Sequence, residues 1–354
     1  MTTAAPPLVS VVVPVYGTAA FLPACLDSLL GQSLTDIEII TVNDASPDAS
    51  QEIIESYAAR DARFKPLINS ENLNLYETRR RGFAVATGSY IATCDSDDYM
   101  PPQALERLYQ TARMTGADLV HGQAREFSEH RQLGLNYTSL PLRAATGPDF
   151  VRAMLRHGRG KSVWGKLYCR QTIESALADL PAGKRLFLSE DLLYSYFIGL
   201  KAGRYAALPE VVYHYRCPQG AYFLTPERWR LNIIDLLEVL LTLKKHMTEE
   251  EVPPDFPELL NSLLQRYFCQ IFYYQSEAVY SSALQNWLLE KMGSLIAGLD
   301  SRLFPGQTFF GRTGLALERF WHDLRMAHGG YEYYIVLRRY LSVLKQDYRF
   351  MVRA

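Results

Sequence analysis

The chain has 354 residues, of which 48% are hydrophobic and 21% charged, and its formal net charge is −1. This composition supports a packed globular core and excludes wholesale disorder. The balanced charge gives no basic footprint for a nucleic-acid partner, and the five scattered cysteines (Cys25, Cys94, Cys169, Cys217, Cys269) fit reduced thiols in a cytosolic protein better than a disulfide framework or a zinc site.

Met1 to Pro7 lack the basic flank and long apolar run of a secretory signal. No stretch long enough to cross a bilayer is free of charges or polar breaks. The expectation is a cytoplasmic protein, either soluble or attached to the inner face of the membrane. Val9 to Val15 is a short β-branched run, as a buried parallel strand should be. Tyr16-Gly17 ends it, and apolar residues at Leu22, Leu26, Leu29 and Leu30 predict a helix over Ala20 to Leu30. Ile37 to Val42 reads as the next strand, Asn43 to Pro47 as a polar turn and Ser50 to Arg60 as a helix. Phe64 to Ile68 follows as a third strand, Glu77 to Thr87 as a helix closed by Gly88, and Tyr90 to Cys94 as a fourth strand. Such alternation predicts a mostly parallel sheet with helices on both faces.

A helix over Ala104 to Thr115 and a strand over Asp118 to Gly122 come next, and residues 123–160 read as loops. Glu210 to Tyr215 is a late strand. After about residue 225 helical spacing dominates, as in Ile233, Leu236, Leu237, Leu240 and Leu243, and Leu259 to Tyr274, Leu284 to Leu299 and Tyr331 to Leu344 also favour helix. The expected division is a catalytic domain over 1–224 and a helical C-terminal region over 225–354.

The polar clusters fall where open α/β sheets bind ligands, beyond the carboxyl ends of strands. Asn43-Asp44 follows one strand, and Asp95-Ser96-Asp97-Asp98 follows another. A single aspartate there would read as a turn or a helix cap. Three together suit a hard divalent ion, Mg²⁺ or Mn²⁺, which shares carboxylates with substrate phosphates. A phosphatase with paired aspartates would place its nucleophile near the start of the chain and follow it with Thr, and neither holds here.

Four segments in register resemble the family 2 inverting glycosyltransferases: Val9-Ser-Val-Val-Val-Pro14-Val-Tyr16, Val42-Asn-Asp44-Ala-Ser46-Pro-Asp48, Ala86-Thr-Gly88-Ser-Tyr90 and Asp95-Ser-Asp97-Asp98. The resemblance is strong over residues 9–105 and patchier to about 220. It implies the nucleotide-sugar-binding α/β fold called GT-A. It also implies that Pro14 and Tyr16 hold the nucleobase and Asp44 hydrogen-bonds it. Arg79 then stands near the donor, Asp95 near ribose and metal, and Asp97 is the principal metal ligand. Departures occur at Gly17, where Asn is usual, at Asn43, where Asp is common, and at Arg80, where Asn is common.

Ser189-Glu190-Asp191 looks like the family's Glu-Asp motif, whose Asp is the general base. An attacking hydroxyl must lose its proton to a nearby carboxylate. The same three residues are also ordinary first-turn helix residues. His214 in Tyr213-His-Tyr-Arg216 resembles a position that completes the metal site in some family members; it also reads as a structural strand residue. Arg216 could pair with diphosphate. Ser162-Val-Trp164-Gly-Lys166 resembles a recurring family segment that brings Lys166 toward phosphate or acceptor, with a solvated surface lysine as the alternative.

The resemblance implies a metal-dependent transferase that moves a sugar from a nucleotide diphosphate donor, a UDP-sugar, to a hydroxyl of a saccharide or lipid-linked acceptor in cell-surface polysaccharide or glycoconjugate synthesis. Two rivals are a sugar nucleotidyltransferase and a non-catalytic nucleotide-sugar binder. The first would need a Gly-rich basic loop after the first strand, and Val15-Tyr16-Gly17-Thr18 offers none. The second sits badly with Asp44, Asp97 and Asp191 being present together. Finally, Arg312 to Ala354 carries eight basic and four acidic residues, a net +4, interleaved with aromatics such as Phe320, Trp321 and Tyr331. It reads either as a membrane-surface helix or as an amphipathic helix packed on protein, so peripheral membrane and homo-oligomer contacts are both expected partners of this region.

Overall fold

Seven consecutive buried residues, Val9–Val15, form strand β1 inside the main sheet. The computed structural model describes residues 5–128, 131–136, 145–186, 189–217, 226–250, 252–260 and 263. The following elements are α1 (Leu22–Leu30), β2 (Ile37–Asn43), α2 (Ser50–Ala58), β3 (Leu67–Ile68), α3 (Asn74–Val85), β4 (Tyr90–Thr93) and α4 (Ala104–Thr115). Next come β5 (Leu119–Ser128), β6 (Arg131–Asn136), α5 (Gly147–His157), β7 (Lys166–Cys169), α6 (Arg170–Asp179), α7 (Glu190–Lys201), β8 (Tyr205–Arg216) and α8 (Pro226–Glu249).

The strands run in the order β3-β2-β1-β4-β7-β5-β6, with β8 also paired to β5. Pairs β1–β2, β1–β4, β2–β3 and β5–β8 are parallel, while β4–β7, β5–β7 and β5–β6 are antiparallel. Only β6 and β7 therefore oppose β1, and the sheet is mostly parallel. β7 and β6 take successive stretches of one edge of β5, while β8 runs along its other edge.

Side chains alternate across a strand, and β1 uses both faces. Val9, Val11, Val13 and Val15 join the core that also holds Leu22, Leu26, Ile54 and Leu105 of α1, α2 and α4. Val12 meets α3 on the opposite face. A Cβ on Gly82 would lie 2.3 Å from Val12 Cγ1, so only glycine lets α3 approach β1 this closely. That approach brings Arg79, one turn earlier, under the sheet edge.

Several expectations are revised. The third strand is only Leu67–Ile68, although Phe64 bridges Ile39. Residues 123–160, read as loops, contain the rest of β5, then β6 and α5. Residues 123–128 pair with β6 and β8, so their stability comes from ladder bonds that no local pattern announces. The helical spacing after residue 225 is realised in α8, with Leu236, Leu237, Leu240 and Leu243 buried. The chain up to Leu260 forms one compact unit that includes α8. Apart from Leu259, Leu260 and Leu263, the later helical segments and the basic stretch 312–354 lie outside the described residues. Among the described residues no helix is long and apolar enough to cross a membrane.

Candidate active site

Because β1, β2 and β4 are parallel, their carboxyl ends share one edge, and Tyr16, Asp44 and Asp95 emerge there. The turn after β4 is closed by the Asp98 N–H donating to the Asp95 carbonyl at 3.0 Å. Asp98 is buried. The Tyr213 hydroxyl donates to its Oδ2 at 2.7 Å, and the Arg216 N–H donates to its Oδ1 at 2.7 Å. The same hydroxyl accepts from the Asp95 N–H at 3.0 Å. Trp164 stacks on Tyr213 with ring centroids 4.7 Å apart and so fixes the ring. Asp98 is thus the strut of this turn, and Asp95 and Asp97 are the carboxylates left for chemistry.

Burial, reinforced by the negative charge of Asp95, pushes the Asp97 carboxyl up to about 6. A carboxyl raised in this way beside a second carboxylate suits a divalent cation, which takes one or two protein carboxylates and completes its shell with phosphate and water. Asp95 and Asp97 fit that role. The His214 ring stacks on Tyr99 with centroids 4.5 Å apart, where β8 bridges the turn. Among the described residues, no three His, Cys, Asp or Glu stand together as a ready-made metal site. Two residues after His214, the Arg216 guanidinium lies between the rings of Phe21, at 4.4 Å, and Phe127, at 4.7 Å. Its Nε donates to the Asp97 carbonyl at 2.8 Å. This places a cation beside the carboxylate pair.

Arg79, fully buried, links this turn to α7. It donates to Asp95 Oδ1 at 2.8 Å and to Glu190 Oε1 at 3.0 Å, and lies 3.5 Å from Asp191 Oδ1. Burial opposes its charge, but Asp95, Asp191 and Glu190 together overcome that and hold it firmly protonated. Burial raises Glu190 to about 8, with the Asp191 charge adding to the shift and Arg79 opposing it. Burial likewise raises Asp191, while Arg79 pulls it down. Of the two acids, Glu190 is buried and Asp191 keeps 31% of its side chain exposed, so Asp191 is the one that can meet a substrate. Ser189 enters α7 with φ at 64° and makes no side-chain cap, which weakens the helix-capping account of this motif.

At the other end of the strand edge, Asp44 is buried, and its Oδ1 accepts from Asn69 Nδ2 at 2.7 Å and from the Leu73 N–H at 2.8 Å. Tyr16 is 47% exposed and Pro14 is buried in β1. The departures noted above have local causes. Gly17 sits at φ 65°, which favours glycine. The Asn43 amide donates to Gln51, and its Oδ1 accepts the Ser46 N–H, closing the turn. Arg80 pairs with Glu77 on its own helix.

Lys166 departs from both expectations. It is only 1% exposed, and its ammonium donates to the carbonyls of Gly160 at 2.7 Å and Ser162 at 2.6 Å and to Ser195 Oγ at 3.1 Å. It is neither a surface lysine nor free for phosphate. The sequence reading also missed the roles of Glu190, Asp98, Tyr213, Phe21 and Phe127. The alternation in Tyr213-His-Tyr-Arg was a signal for an inward-facing Tyr213; nothing local pointed to Phe127.

Comparison with known proteins bears on this geometry. Residues 10–159 match the model of glycosyl transferase family 2. The chain is 37% identical over 220 residues to the uncharacterized glycosyltransferase EpsJ of Bacillus subtilis, covering 59% of this chain and 61% of that relative. It therefore spans about three fifths of the length of that curated relative. In fold it is similar to S. aureus TarS 1-349 in complex with UDP, with a TM-score of 0.65 at 20% identity, covering 83% of this chain and 82% of that one. The mannosyltransferase PcManGT of Pyrobaculum calidifontis, bound to GDP-Man and Mn2+, matches with a TM-score of 0.50 at 18% identity over 94% of this chain and 86% of that one. The architecture is the GT-A fold, a mostly parallel sheet between helices.

Proposed function

We propose that the protein, whose residues 10–159 match the model of glycosyl transferase family 2, moves a sugar from a nucleotide diphosphate donor to a hydroxyl of a saccharide or lipid-linked saccharide. The observation that carries this reading is the Arg79 bridge, which ties Asp95 to the Glu190-Asp191 pair. It joins a carboxylate turn suited to a diphosphate–metal unit to an exposed carboxylate suited to an acceptor. The donor is a UDP-sugar, in keeping with the UDP bound by TarS. Tyr16, Pro14 and Asp44 hold the nucleobase end. Residues 225–354 serve acceptor, oligomer or membrane-surface contacts, and the product belongs to cell-surface polysaccharide or glycoconjugate synthesis.

The reaction is a single displacement with inversion. The acceptor oxygen attacks the anomeric carbon, the bond from that carbon to the diphosphate oxygen breaks, and the hydroxyl proton passes to Asp191. The raised Asp191 carboxyl makes a stronger base once ionised. Arg216, held by two aromatic rings and the Asp97 carbonyl, faces negative charge growing on the leaving group. A Mg²⁺ or Mn²⁺ ion held by Asp95 and Asp97 supplies further positive charge to the diphosphate when bound.

A panel of UDP-sugars and GDP-mannose, scored for diphosphate release with and without Mn²⁺, tests this. At least one UDP-sugar should show metal-dependent release that Asp191→Asn loses. Release that needs no divalent ion, or that Asp191→Asn leaves intact, would overturn the reading.

A further inference from the structure

We propose that Lys166 is a positioning residue for Asp191, acting by stapling the 160–163 loop to α7. The inference rests on the reading of Asp191 as the base. Two of the three ammonium bonds of Lys166 go to that loop, to the Gly160 and Ser162 carbonyls. The third goes to Ser195, which lies one helical turn beyond Asp191 and so on the same face of α7. Ser195 in turn donates to the Lys161 carbonyl at 2.7 Å. Three successive carbonyls are thus gathered by one lysine and one serine. The next residue, Val163, points its N–H at Asp191 Oδ1, 3.3 Å away.

The staple therefore delivers a backbone donor to the same Asp191 oxygen that Arg79 approaches. Because Ser195 spends its hydrogen on Lys161, it can only accept from Lys166, and the three acceptors require all three ammonium hydrogens. That bonding favours the charged form, against burial, which pushes the lysine down to about 7. The facing strand β5 places His121 opposite Lys166; this buried imidazole is held well below its ordinary range, by burial and by the lysine charge, and so stays neutral. Among the described residues, Arg79, Asp95, Glu190, Tyr168 and Lys166 are charged or titratable groups that act on Asp191 or feel its charge. Of these, Lys166 and Arg79 are the two cations that favour its ionised form.

The test is Lys166→Met, close in length and without charge, beside Ser195→Ala and Asp191→Asn in the full chain. Each is assayed for UDP binding with Mn²⁺ by calorimetry and for the pH profile of kcat with the UDP-sugar that the parent turns over fastest. Lys166→Met should lower kcat about 10- to 100-fold with UDP affinity kept. Its acid limb should move to higher pH, because losing the cation and the Val163 N–H raises Asp191. Ser195→Ala should move the limb the same way by less, and it decides the matter if Lys166→Met does not fold. An acid limb unmoved in the folded variants, with Asp191→Asn inactive, overturns the staple alone. An active Asp191→Asn overturns the base assignment and the staple with it.

Discussion

Arg79 donates to Glu190 at 3.0 Å from 111 residues away in the chain, and both side chains are buried. A buried cation is tolerated only when paired and hydrogen-bonded. Glu190 is therefore the anchor that lets Arg79 stand between Asp95 and Asp191.

Glu190→Gln should keep this anchor, because its carbonyl still accepts from Arg79. The sign of its pH effect is fixed by the raised carboxyl. A folded value of about 8 lies above the usual 4.5, so its contribution to stability is fully present below about 4.5 and is lost as pH rises through about 8. The amide does not titrate. Thermal melts at pH 5 and pH 8 should show the variant's melting temperature, relative to the parent, higher at pH 8 than at pH 5. A difference that grows toward pH 5 would contradict the proposed burial cost.

Asp191→Asn should fold, bind UDP with Mn²⁺ as the parent does and lose about 10²–10⁴-fold in kcat. Turnover near the parent rate with the true acceptor would reduce Asp191 to a helix-start residue.

Asp97→Ala should abolish transfer and weaken UDP binding only where a divalent ion is present. Calorimetry of UDP with and without Mn²⁺ separates the two terms. Equal metal dependence in variant and parent would remove Asp97 from the metal site.

Tyr213→Phe should cost about 1–3 kcal/mol of stability, since the hydroxyl both donates to the buried Asp98 and accepts from the Asp95 N–H. Chemical denaturation measures this. UDP binding should also weaken, because the turn carrying Asp95 and Asp97 loses its strut. A fully stable variant with parent affinity would mean that Trp164 stacking alone holds the turn.

The sequence by itself determined the order of the first four strands and the placing of Asp44 and of Asp95 to Asp98 beyond strand ends. Those are readable because β-branched runs and helical spacing act locally, over a few residues. The Glu190-Asp191 pair was visible as a motif, but that Glu190 would be buried against Arg79 and Asp191 left partly exposed was not. Only the tertiary structure decided that Lys166 faces inward, that His214 stacks on Tyr99 and that Arg216 lies between Phe21 and Phe127. The second half of β5, residues 123–128, was hidden for a related reason. Its partner β8 lies tens of residues downstream, and a ladder bond or a buried charge takes its partner from packing rather than from its neighbours in sequence.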